Sequence, residues 1–229
     1  MNLLALETAT DLCSAALWCD GRVLARSVEA PRRQAELLLP MCEALLDEAG
    51  IGRRRLDGIA CGRGPGAFTG VRLAVSVAQG LALALDRPLL PVSTLAALAL
   101  AAPADADAVL AVLDARMGEV YAAAFRRTGV ETLQSLGAET VGAAAALAVP
   151  AAAAWFGVGS GWGPYAAALR ACLGTAVLTG IDTHAAPQAA AVARLAAPLL
   201  AAGGGMPPSQ ALPIYLRDRV ALTRAERGA

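Results

Sequence analysis

One pattern occurs twice in this chain, and it constrains the architecture more than any other feature. Leu3-Leu4-Ala5-Leu6 ends in Glu7, passes through Thr8-Ala9-Thr10-Asp11, and returns in a second apolar run from Cys13 to Cys19. Val109-Leu110-Ala111-Val112-Leu113 ends in Asp114, passes through Ala115-Arg116-Met117-Gly118-Glu119, and returns from Val120 to Phe125. Aligned on Glu7 and Asp114, the stretches share strand, acidic turn and strand over about 15 residues, which predicts a duplicated unit. With 229 residues, the chain divides into two lobes, expected at 1–102 and 103–229, each near the lower end of ordinary domain size.

The rest of each unit fits an α/β class. Asp20-Gly21 is a two-residue hairpin signal between the run ending at Cys19 and the alternating Arg22 to Val28, so three antiparallel strands open the chain. Pro31 introduces apolar Leu37, Leu38, Met41, Leu45 and Leu46 at helical spacing, predicting a helix over 33–49 that closes near Gly50. Leu56 to Cys61 predicts a buried strand, a glycine-rich loop follows, and a second helix is expected over 69–85 before Pro88. Leu89-Leu90 reads as a strand, with Ser93 or Thr94 capping a helix through Ala101. In the second unit, Glu131 to Gly137 and Ala153 to Val158 read as strands. Helices are expected at Val141 to Leu147, Pro164 to Cys172 and, within the second lobe, Ala185 to Leu200.

Composition removes several chemistries. All 19 basic side chains are Arg and the only imidazole is His184, so a P-loop lysine, a Schiff base and a His-based zinc site cannot be built. Ser93, Ser160 and Ser209 lack the Gly-x-Ser-x-Gly context of a nucleophile elbow. A formal net charge of +0 argues against gripping nucleic acid unaided. Arginines nevertheless cluster at Arg32-Arg33, Arg53-Arg54-Arg55 and Arg63, and again at Arg217, Arg219, Arg224 and Arg227. No apolar run reaches the ~20 residues of a membrane span, and the first residues lack a basic n-region, so neither a span nor a signal peptide is expected. Five cysteines without a Cys-x-x-Cys pair read as small buried residues in a reducing cytoplasm.

Three places could carry function. Gly62-Arg63-Gly64-Pro65-Gly66-Ala67-Phe68-Thr69 lies between a strand and a helix, where glycines let backbone approach an anion; Gly64, Gly66 and Thr69 are the candidates for cofactor contact. A tight strand-to-helix turn without a ligand explains the same glycines. Glu7 and Asp114 end first strands, where α/β folds place ligand groups, and each could hold Mg²⁺ beside a nucleotide or simply cap its own turn. That pair and the loop together define an alternative reading as an active ATPase or phosphotransferase. Finally, the helices at 33–49 and 69–85 are apolar nearly all round, which predicts burial on two sides. Leu38, Met41, Leu45, Val71, Val75 and Ala78 are the candidate subunit-interface residues, so a charge at Val75 or Leu38 is expected to dissociate a dimer of folded monomers.

Six segments in order carry a resemblance covering almost the whole chain. They are Leu4 to Thr10 with Cys13 to Leu17, Gly62 to Arg72, Val92 to Leu95, Asp114 to Tyr121, Gly157 to Trp162, and Pro213 to Arg217. Together they resemble the bacterial TsaB family, also called YeaZ. The resemblance implies a fold related to actin, Hsp70 and hexokinase, with two tandem lobes. It further implies a non-catalytic role in forming N6-threonylcarbamoyladenosine at position 37 of tRNAs, with no cofactor of its own. Implied partners are a TsaD-like paralogue and a TsaE-like ATPase, with a homodimer when alone and tRNA met through the complex. TsaD-like chains bind metal through a His-x-x-x-His pair, which His184 alone cannot supply. Gln34 stands where relatives often show His, and Glu7 where the acid is usually Asp.

Overall fold

A computed structural model describes residues 1–217, so Arg219, Arg224 and Arg227 lie outside the described residues. Strand β1 (Asn2–Glu7) is buried on both faces because it runs down the middle of the first sheet. It pairs antiparallel with β2 (Leu12–Cys19), which pairs antiparallel with β3 (Arg22–Glu29) across the Asp20-Gly21 turn. On its other edge β1 pairs parallel with β4 (Gly58–Gly62), and β4 with β5 (Leu89–Val92). The second sheet repeats this plan. Its central β6 (Ala108–Arg116) pairs antiparallel with β7 (Glu119–Gly129), and β7 with β8 (Thr132–Ser135). Beyond a short β9 (Thr140–Ala143) in the chain, β6 pairs parallel with β10 (Ala154–Val158), and β10 with β11 (Val177–Asp182). Sheet orders β3-β2-β1-β4-β5 and β8-β7-β6-β10-β11 therefore correspond strand for strand, in direction as well as order. The duplication read from Glu7 and Asp114 is real topology.

Helices α1 (Gln34–Ala49) and α2 (Phe68–Leu85) cover one face of the first sheet, and Gly50 ends α1 in the left-handed conformation. The opposite face is covered by α5 (Ala189–Ala201), whose Ala189, Val192, Ala193 and Ala196 pack on Leu3, Ala5, Ala16 and Ala60. This helix, expected within the second lobe, thus returns to the first. The short α3 (Thr94–Ala99), capped by the Ser93 hydroxyl accepting the Ala96 amide, sends Leu95, Leu98 and Ala99 into the second sheet beside Val109, Leu113 and Phe125. A shared apolar layer therefore joins the lobes. Trp155 and Trp162 anchor the far side of the second sheet together with Leu169 of α4 (Ala166–Cys172).

Three expectations need correction. The helix expected at Val141 to Leu147 is strand β9 (Thr140–Ala143) followed by a 3-10 turn. The reason is tertiary: β8 covers β7 only from Phe125 onward, and β9 supplies the ladder for Glu119 to Ala122, which outweighs the helix propensity of alanine. Strand β11, where no element is expected, forms over a segment whose alternation Gly180 interrupts. The last helix begins at Ala189, since Pro187 disfavours helical backbone in the residue before it; His184 accordingly lies in a connection, not at a helix start.

Burial also decides how the apolar helices work. Leu38, Leu45, Val75 and Ala78 are at most 2% exposed and belong to the core under the first sheet, Val71 is equally buried against Gly64, and Met41 is half-buried. A charge at Val75 or Leu38 would be buried without a partner. Val75→Asp is thus expected to lower stability by at least ~3 kcal/mol in urea unfolding; a variant that melts like the parent but loses only its oligomer would contradict this packing.

Candidate functional site between and beside the lobes

The glycine-rich loop is fitted to the protein itself. A Cβ on Gly62 would stand 1.9 Å from Glu7 Oε2, one on Gly66 would stand 2.5 Å from the Ala9 carbonyl, and one on Gly70 would stand 1.9 Å from the Thr8 carbonyl. Glycines at intervals of four thus form a seat for the turn Glu7-Thr8-Ala9. The Thr8 hydroxyl donates to the Gly70 carbonyl at 2.7 Å, and the Ala67 amide donates to the Ala9 carbonyl at 2.7 Å. The amides at the front of the loop are already used. That of Arg63 donates to the Val92 carbonyl and that of Gly64 to Thr94 Oγ1, while Pro65 has none. Gly64 itself is buried under Ile214 and Val71, and Thr69 is exposed on the outer side of α2.

Glu7 does not face a ligand cavity. Its carboxylate is fully buried, with Oε1 accepting the Ala9 amide at 2.7 Å and Oε2 accepting the Thr94 hydroxyl at 2.9 Å. Burial pushes its pKa up, and the Ala9 and Thr94 hydrogen bonds oppose that shift in part. The side chain organises the loop from behind. Asp114 does reach a cavity, of about 750 Å³, that opens between the lobes and is lined also by Thr10, Asp11, Glu29, Gly66, Arg116, Ser160, Asp182 and His184. There Asp114 Oδ1 accepts the Arg116 amide at 2.8 Å and the Tyr165 hydroxyl at 3.4 Å, and Oδ2 lies 3.5 Å from the Arg116 guanidinium. Asp182 Oδ1 accepts the His184 and Ala185 amides. Both acids close their own turns. Four carboxylates against Arg116 and His184 make a lining that repels a polyphosphate. Among the described residues no group of three or more His, Cys, Asp or Glu is placed to hold a metal ion. The structure therefore separates the parts of the ATPase reading: Asp114 and Gly66 share the cleft, Glu7 is sealed behind it, and Gly64 and Thr69 lie elsewhere.

Beside the lobes, α1 and α2 show apolar residues outward as well as inward. Leu39 is 44% exposed, Leu83 75% and Phe68 47%, with Leu37, Met41, Leu73, Val77 and Leu81 half-buried. Among the described residues α2 is the one helix long and apolar enough to cross a membrane, yet a third of it is buried in this fold. Two of its polar residues are tied to the tail: Gln79 donates to the carbonyls of Pro208 and Ala211, and Arg72 donates to the Tyr215 hydroxyl while stacking on Phe68 at 3.6 Å. The contiguous Leu37-Leu38-Leu39 was the sequence signal for two-sided packing, because three successive leucines cannot share one helix face. It could not say which leucine turns outward.

Fold and site together define an α/β protein of the actin, Hsp70 and hexokinase type, two-lobed by duplication, whose loop glycines serve packing. The family model described as TsaD, tRNA N6-adenosine threonylcarbamoyltransferase, matches residues 28–212. The tRNA threonylcarbamoyladenosine biosynthesis protein TsaB of Escherichia coli strain K12 is 38% identical over 229 residues, covering 96% of each chain. That of Haemophilus influenzae is 45% identical over 123 residues, about half of each chain. A solved structure named YeaZ from Pseudomonas aeruginosa superposes with a TM-score of 0.86 at 44% identity, over 94% of this chain and 99% of that one. The chain belongs to the TsaB (YeaZ) family.

The seat of glycines makes a paired prediction. Gly70→Ala is expected to cost about 3 kcal/mol because backbone blocks the new methyl, whereas Gly80→Ala, open on the exposed side of α2, is expected to add about 1 kcal/mol. Equal urea midpoints for the two would refute the seat. Glu7 makes another. A carboxyl whose pKa is raised on folding binds its proton more tightly in the native state, so its contribution is present below the ordinary value of about 4.3 and is lost as pH rises through the folded value. Stability of Glu7→Gln should consequently vary less with pH above ~4 than that of the parent; parallel profiles would clear Glu7 of the effect.

Proposed function

We propose that this chain is a non-catalytic subunit that binds and activates a TsaD-like paralogue, together with a TsaE-like ATPase, in threonylcarbamoyl transfer to N6 of adenosine 37 in tRNAs reading codons that begin with adenine. The coarser part, a role in tRNA threonylcarbamoyladenosine biosynthesis, follows from membership of the TsaB family. The observation that carries the finer part is the outward apolar face of α1 and α2, with Leu39 and Leu83 exposed on helices that already fill a core on their inner side. Apolar surface of that kind marks a protein contact. Its pairing with a paralogue is supported by likeness within the duplicated family: a tRNA N6-adenosine threonylcarbamoyltransferase of Trichlorobacter lovleyi is 37% identical over 109 residues, 40% of this chain and 32% of that one. Two related chains can present equivalent helices to each other, and the same face allows a homodimer in isolation. Arginines on the surface then meet tRNA only as part of the assembly, consistent with a net charge of +0.

Reconstituted transfer to tRNA, with TsaD-like and TsaE-like proteins present, is expected to require this chain. Leu83→Glu should keep the parental melting temperature and weaken binding to the TsaD-like protein by about tenfold or more, equivalent to about 1.4 kcal/mol. Full turnover without the chain would sink the proposal.

A further inference from the structure

Eight ion pairs join described residues, and three of them cross from one lobe to the other. All three have the same sense. Arg63, in the loop after β4, meets Glu139 of the second lobe at 3.3 Å; Arg194 of α5 meets Glu131 in the β7–β8 turn at 2.9 Å; and Arg217, whose tail is tied to α2, meets Glu119 at the start of β7. Every cation stands on the first-lobe side and every anion on the second. The first pair is the best sheltered, with side chains 27% and 14% exposed, and Glu139 also accepts the Ser93 hydroxyl that caps α3. Arg217 additionally donates to the Ala115 and Arg116 carbonyls, so it grips the β6–β7 hairpin at the lip of the cleft.

Between these contacts lies α3, the apolar element packed on both α5 and the second sheet. Among the described residues two chain segments connect the lobes, 100–107 and 183–188, and they bound the cleft and a second cavity of about 390 Å³ lined by Arg194 and Glu131. An apolar pivot with non-directional contacts tolerates rotation, whereas charge pairs at its periphery do not.

We propose that Arg63–Glu139, Arg194–Glu131 and Arg217–Glu119 form an electrostatic latch that sets the angle between the lobes about α3 and holds the interlobe cleft at one aperture. Because each pair bridges the lobes, opening separates opposite charges at all three at once. Removing one partner of the sheltered pair leaves the other facing a poorly solvated site, so each single reversal works against closure. Exchanging both charges of a pair restores attraction.

Pulsed electron–electron resonance measures this aperture directly. Labels at Asp11→Cys and Met117→Cys, exposed on the two lips, are placed in the full chain with Cys19→Ser and Cys172→Ser. The parent is expected to give one narrow distance. Arg63→Glu or Glu139→Arg alone should lengthen and broaden it, and the double exchange Arg63→Glu with Glu139→Arg should return it to the parental value. Circular dichroism of the same samples must show parental helix content, and Arg194→Glu with its exchange partner Glu131→Arg supplies an independent second pair. Unchanged distances in every folded single reversal, or an exchange that fails to restore the parental distance, would overturn the latch.

Discussion

The turn Glu7-Thr8-Ala9, pressed into a row of glycines, is the contact on which the rest of the first lobe depends. Gly62, Gly66 and Gly70 each leave out a side chain where the turn's carboxylate or carbonyls pass. That close approach fixes the start of α2 against β1, and with it the core formed under the first sheet by α1 and α2. It also occupies the Ala67 amide, beside those of Arg63 and Gly64 that bond elsewhere, and seals Glu7 inside, held by the Ala9 amide and the Thr94 hydroxyl. A loop built this way is a strut. The same residues that look like a phosphate cradle in sequence are spent on holding a buried carboxylate and a turn.

From that commitment follows where function has room to reside. The cleft keeps acidic, self-satisfied groups, while the outer sides of α1 and α2 keep apolar ones. An enzyme of this architecture would need spare donors and open ligands between its lobes; a partner subunit needs a firm scaffold behind an apolar face. The outward apolar face of α1 and α2 supports the proposed partner role. The lobes are joined by α3 and by charge pairs of one polarity, so the scaffold is held across its own cleft by its own side chains.

Much of this was legible in the residues. Duplication could be read from two acids ending two apolar runs, because strand period and turn chemistry are local. The hairpin at Asp20-Gly21 and the stop at Gly50 were legible for the same reason. What failed was decided by distant partners. The alanine-rich Val141 to Leu147 became β9 because β7 had an unpaired edge, and α5 crossed back because the first sheet had an uncovered face. The candidate interface residues show the limit of the pattern: Leu38 and Val75 satisfy a helical apolar spacing and lie in the core, because a pattern that runs all round a helix does not tell the core side from the partner side. Likewise the glycine spacing showed that backbone must approach something. Whether that something was a phosphate or the protein's own turn depended on Thr8 and Ala9, which lie some sixty residues away in the chain.

The most direct measurement of this account is a calorimetric titration of the isolated chain with Mg-ATP. Loop glycines spent on packing, a sealed Glu7 and an acidic cleft predict no saturable heat and no hydrolysis. Stoichiometric binding abolished by Asp114→Asn would contradict it, since the cleft would then be a nucleotide site in its own right.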